Sequence, residues 1–161
     1  MMKIRALLTG LHEGAFPRLP EVSRGKGEFS LFHVDAGGCD GCAMEIESLR
    51  YGGWNPEKYG LHFHETPTSA DFLLITGVCT HAMMPVVRAA WAAMARPAGL
   101  IAAGACAIDG GPFQRNYATL PGLRGSVTPS LEIPGCPVSP GDFLSALSTL
   151  LGNGGSSAQE G

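Results

Sequence analysis

The chain has 161 residues, of which 45% are hydrophobic and 16% charged, enough for one domain with an ordinary core and unusually little charged surface. A net charge of −3 gives no electrostatic footprint for nucleic acid. No run approaches the roughly 20 apolar residues a membrane-spanning helix needs, and the start, Met1 to Leu8, has neither a long apolar stretch nor a small-residue cleavage site, so neither a membrane span nor a signal peptide is expected.

Residues 1–27 are broken by Pro17, Pro20, Gly25 and Gly27 and are expected to form an N-terminal arm lying on the domain or on a partner. Phe29–Val34 is the first strand candidate, and a short helix over Cys42–Tyr51 follows it. Leu61–Glu65 is a weaker strand and Asp71–Thr76 a strong one. A helix is expected over His81–Arg96, with Thr80 as N-cap and Val86, Val87, Ala90 and Met94 on one face. Gly99–Ala103 and Ser130–Ile133 complete the strands. The closing helix has the clearest start: Ser139 as cap, Pro140 at the first helical position, and Asp142 three residues after the cap. Its apolar stripe is Phe143, Leu144, Leu147, Leu150 and Leu151, and residues 152–161 read as a flexible tail. Continuous apolar strands alternating with helices predict an α/β domain over residues 28–151, an open and mostly parallel sheet of four to five strands with helices on both faces.

Five cysteines, an odd number, with no export signal suit a reducing compartment. Cys39, Cys79, Cys106 and Cys136 each fall just past the end of a predicted strand, the edge at which open α/β sheets bind ligands. Cys39 and Cys42 form a CxxC pair in a glycine-rich turn, followed by Gly104-Ala105-Cys106 and Gly135-Cys136-Pro137. A redox pair alone leaves Cys106 and Cys136 without a role, and structural zinc usually uses two close-spaced pairs. A cluster fits the pattern better, because backbone N–H groups beside glycine can approach its sulfides. Buried structural thiols in glycine turns are the bland alternative. Nothing physical excludes Cys79 outright, although no glycine directly precedes it and packing is its preferred role. Glu45 and Glu47 lie on the helix that starts beside the CxxC. An acid three residues past a ligand could carry a proton, while an acid in the first turn also simply suits the helix dipole. The five histidines show no shared metal spacing.

The chain resembles the small iron–sulfur subunit shared by respiratory complex I (its B, or 20 kDa, subunit) and the membrane-bound, energy-converting group 4 [NiFe] hydrogenases. The resemblance covers most of residues 29–151. It rests on Cys39-Asp40-Gly41-Cys42-Ala43-Met44-Glu45, on Leu74-Ile75-Thr76-Gly77 with Thr80, Met84 and Pro85, on Gly104-Ala105-Cys106-Ala107 with Gly110-Gly111, and on Pro134-Gly135-Cys136-Pro137 with Pro140. It implies a flavodoxin-like domain holding one [4Fe–4S] cluster on Cys39, Cys42, Cys106 and Cys136, with Cys79 where the family has a non-ligand. Glu45 matches an acid linked to proton coupling. Asp40-Gly41 separates the first two cysteines, which are adjacent in the complex I subunit, so the spacing resembles the hydrogenase branch, including formate hydrogenlyase and CO- or ferredoxin-linked enzymes. The resemblance further implies an electron-transfer subunit without a complete active site. Its expected partners are a [NiFe] hydrogenase-type large subunit, a ferredoxin-like 2×[4Fe–4S] subunit and membrane-arm subunits, on the cytoplasmic face of the membrane. A quinone-reducing complex I-type role and a zinc-binding or thiol–disulfide protein are the alternatives.

Overall fold

The computed structural model describes residues 28–152, with side chains up to Leu150. The arm expected over residues 1–27 and the tail beyond Gly152 lie outside the described residues. Five parallel strands, β1 (Phe29–Asp35), β2 (Leu61–Phe63), β3 (Phe72–Thr76), β4 (Gly99–Ala103) and β5 (Leu131–Ile133), form one sheet in the order β2-β1-β3-β4-β5. This is the flavodoxin-like order, in which the chain reverses its direction of travel across the sheet between β1 and β3. Four α-helices accompany the strands: α1 (Gly41–Tyr51), α2 (Met84–Ala93), α3 (Ala105–Asp109) and α4 (Pro140–Gly152).

The period-two alternation of side chains divides the core into two layers. Leu31, Leu74, Ile101 and Ile133 point to one face and pack against Ile46 and Leu49 of α1 and Phe143, Leu144 and Leu147 of α4. Leu73, Ile75, Leu100 and Ala102 point to the other and pack against Met84, Val87, Ala90 and Trp91 of α2 and Ala107 and Ile108 of α3. β3 and β4 are buried along their whole length because both faces are covered, which is why they read as uninterrupted apolar runs. The cap of α4 is as expected: the Ser139 hydroxyl accepts from the Asp142 N–H at 3.2 Å and donates to its carboxylate at 2.7 Å.

Several boundaries differ from the sequence reading. The second helix begins at Met84 rather than His81, because Pro85 has no N–H to continue an earlier turn and is placed in the first helical turn. The Thr80 hydroxyl holds the turn before the helix, accepting from the Met83 N–H at 3.2 Å. The helix stops at Ala93, since Met94 is already extended. Val86 is 48% exposed, and Met84 and Trp91 join Val87, Ala90 and Met94 on the buried side. β2 keeps only Leu61–Phe63, an edge strand paired on one side. The helix α3 has no counterpart in the sequence reading. Five residues between glycines are too short to establish a helical period.

Candidate metal centre

The loops beyond the carboxyl ends of the strands are joined in two pairs. After β1 and β3, the Ala36 N–H donates to Thr76 O at 2.8 Å and the Val78 N–H to Gly37 O at 2.6 Å. After β4 and β5, the Gly104 N–H donates to Ile133 O at 2.8 Å and the Ala105 N–H to Gly135 O at 2.9 Å. Between these pairs lies a hollow of about 190 Å³, lined by Asp35, Cys39, Asp40, Gly41, Cys42, Ala43, Gly77, Cys106, Gly135, Cys136 and Pro137.

Four of the five thiols border this hollow, each carried there by a different local device. Asp40 adopts a left-handed conformation (φ 61°) that turns the chain from the loop into α1, leaving Cys39 exposed before the helix and Cys42 half-buried in its first turn. Cys106 stands in the first turn of α3 and is buried. Cys136 is exposed on the loop after β5, and its peptide bond to Pro137 is cis. The Val138 backbone on the β5 loop acts against burial at Cys42, lowering the pKa of its thiol.

Gly104 shows how closely the backbone approaches. Its φ of +94° and ψ of 149° are almost confined to glycine, and a Cβ there would stand 2.6 Å from the Cys42 sulfur. All five cysteines are free. Burial raises the thiol pKa of Cys42 and Cys106, and the negative charges of the neighbouring cysteines raise both further. A cationic group between the thiolates would reverse that repulsion. Among the described residues no three His, Cys, Asp or Glu side chains are arranged to hold a single metal ion. The thiols instead stand around a hollow.

Cys79 is placed differently. It is fully buried with Ala36, Met84 and Val87 in the layer under α2, and its carbonyl accepts from the Leu120 N–H at 2.8 Å. Burial alone pushes its thiol up to about 11. Glu45 lies half-buried on α1 and is not one of the residues lining the hollow, whereas Asp35 and Asp40 are. Sequence reasoning did not single out Asp35. The signal available was a lone carboxylate closing an apolar strand directly before the glycine turn.

Known proteins place this arrangement in a family. The family model of the NADH ubiquinone oxidoreductase 20 kDa subunit matches residues 39–150. Formate hydrogenlyase subunit 7 of Escherichia coli (strain K12) is 35% identical over 122 residues, covering 76% of this chain and 48% of that protein. The chain thus spans about half the length of this relative. In fold, the chain is similar to one from the membrane-bound sulfane sulfur reductase, an archaeal respiratory membrane complex. The TM-score is 0.69 at 22% identity, covering 84% of this chain and 75% of that one. It is also similar to a chain of an NAD+-reducing [NiFe]-hydrogenase in the H2-reduced state, with a TM-score of 0.58 at 20% identity over 78% of this chain and 92% of that one. The matched residues begin at Cys39 and take in all four cysteines of the hollow, and the chain belongs to the NADH ubiquinone oxidoreductase 20 kDa subunit family of oxidoreductase-complex subunits.

Proposed function

We propose that this chain is the electron-transfer small subunit of a membrane-associated, multisubunit [NiFe] hydrogenase of the formate hydrogenlyase or CO- or ferredoxin-linked type. The observation that carries this reading is the convergence of Cys39, Cys42, Cys106 and Cys136 on one hollow while Cys79 is packed away in the core. The soft donor set and the close backbone approach at Gly104 fit one [4Fe–4S] cluster. Thiols ranged around a space of about 190 Å³ suit a multi-iron group better than a lone zinc, whose sulfurs close on one point at about 2.3 Å.

When bound, such a cluster supplies one-electron storage at a potential set by its surroundings. The protein's own residues do the rest. The four thiolates hold it, and the Val138 backbone, which lowers the Cys42 pKa, favours the thiolate form of that ligand. The exposed positions of Cys39 and Cys136 put one side of the hollow at the surface, where a partner can approach. The partners proposed are a [NiFe]-type large subunit on one side, a ferredoxin-like subunit with two clusters on the other, and membrane-arm subunits that hold the assembly at the cytoplasmic face. Glu45, beside the CxxC on α1, is proposed to couple proton movement to electron arrival.

Asp40-Gly41 between the first two cysteines favours the hydrogenase branch over a quinone-reducing complex I-type role. Isolation of the chain with its native partners tests the choice. A co-purifying large subunit with two CxxC pairs for nickel is the expected result. A large subunit lacking those cysteines would move the chain to the quinone-linked branch.

A further inference from the structure

Little apolar contact holds α1, the helix that carries the CxxC pair. Of its 11 residues only Ile46 and Leu49 are buried. Its left-handed N-cap, Asp40, makes no side-chain cap bond, and glycine pairs stand on either side, Gly37-Gly38 before the helix and Gly52-Gly53 after it. The strand surface beneath is partly polar. His33 of β1, on the same face as Leu31, has its Nε2 2.8 Å from Thr76 Oγ1, and Glu47 and Arg50 of the helix lie near enough to act on its ring.

Arg50, near the end of α1 away from the cysteines, supplies the missing anchor. Its side chain is 17% exposed, and it is paired with Glu47, one turn back, at 3.3 Å and with Glu65 in the loop after β2. Its guanidinium carbon lies 5.2 Å from the centre of the Tyr51 ring and 5.3 Å from that of Phe63, the last residue of β2. Two carboxylates and two rings thus hold one planar cation, a task that suits the fork and flat face of a guanidinium better than an ammonium. Phe63 and Glu65 belong to the edge strand and its loop, so these contacts cross from the helix to the sheet.

We propose that Arg50 is a positioning residue for the CxxC ligands: by fastening one end of α1 to Phe63 and Glu65, it holds Cys42, in the first turn, in place beside the hollow. The inference rests on the cluster reading given above. Arg50 and Cys42 are about 12 Å apart along the helix axis, and a helix this short moves as one body. The Cys42 sulfur has little room to compensate, since a Cβ on Gly104 would stand only 2.6 Å from it. Cys106 and Cys136 do not follow α1, because their loops are bonded to each other through Ala105 N–H and Gly135 O at 2.9 Å. Releasing Arg50 therefore shifts one thiolate of the set against the others.

The test is the rate of iron release from the anaerobically purified full chain to a ferrous chelator, with the EPR spectrum of the reduced protein as a second readout. Arg50→Met keeps an apolar stem and removes the charged fork. It is expected to speed release about 10- to 100-fold, the loss of affinity typical when a residue that orients metal ligands is removed, and to alter the spectrum. Arg50→Lys keeps the charge without the fork and is expected to fall between Arg50→Met and the wild type. Glu65→Ala, at a side chain 80% exposed, removes one tie without touching the helix and is expected to speed release to a smaller extent. Phe29→Leu is the control for stability alone. It weakens the edge-to-face contact with Phe72 at the amino ends of β1 and β3, where the ring centres are 5.5 Å apart, and is expected to lower the unfolding midpoint with release and spectrum unchanged. Wild-type release and spectrum in Arg50→Met or Glu65→Ala, or equal acceleration in Phe29→Leu, overturns the proposal while leaving the cluster reading intact. A wild-type preparation without iron overturns both.

Discussion

Cys79 and Cys136 are both free thiols just past a strand end, yet one packs in the core and the other borders an open hollow. Cys136→Ser is expected to abolish iron binding with the fold retained. Cys79→Ser is expected to keep the iron but cost about 1–3 kcal/mol of stability for a hydroxyl buried in an apolar layer. Equal iron loss in both variants would reject the ligand set. Burial gives Cys79 a second signature. Its folded-state pKa of about 11 lies above the ordinary 9.0, so its contribution to stability is complete below pH 9 and is lost as the pH rises from 9 towards 11. At about 1.4 kcal/mol per unit, the loss is about 2–3 kcal/mol. Denaturant unfolding at pH 8 and pH 11 checks it: the wild type is expected to lose that much more stability across the interval than Cys79→Ala, which has no thiol to ionise.

At the scale of elements, the strand–loop junctions shape the hollow, and Gly104, where β4 turns into α3, is the tightest of them. Gly104→Ala is expected to cost about 1–3 kcal/mol for the disallowed backbone conformation and also to lower iron content, because the new methyl would displace the Cys42 sulfur. Gly53→Ala is the control. Gly53 also has a positive φ, +88°, but has open space around it, so backbone strain without iron loss is expected. Iron per chain and unfolding midpoints of the two variants distinguish the effects. These junctions also mark how far the sequence could be read. β3, β4 and the start of α4 were plain, because continuous apolar runs and a Ser-Pro cap are local signals. The gathering of sequence-distant cysteines at one edge followed from strand order, since a parallel sheet aligns every carboxyl end. α3 was not legible, because five residues carry no period. Val86 lies outside the core face of α2, because that face follows Met84, Val87, Ala90, Trp91 and Met94 at helical spacing and Val86 sits about 100° round the helix from Val87. The pairing of His33 with Thr76 depends on the register between β1 and β3, which no single strand encodes.

For the whole molecule, the sheet divides the labour. Two apolar layers hold the strands rigid, and the carboxyl edge carries the chemistry on loops that are hydrogen-bonded in pairs. Among the described residues no helix is long and apolar enough to cross a membrane, so attachment to a membrane complex is proposed to come through partner subunits. Large exposed side chains such as Met44 on α1, 69% exposed, and Tyr117, 97% exposed, are apolar or aromatic area available to such contacts. Four thiolates around one hollow are proposed to hold a single cubane cluster. Iron and acid-labile sulfide counted per chain after anaerobic purification test it most directly. About four of each are expected, whereas colourless protein carrying stoichiometric zinc and no sulfide would rule the cluster out.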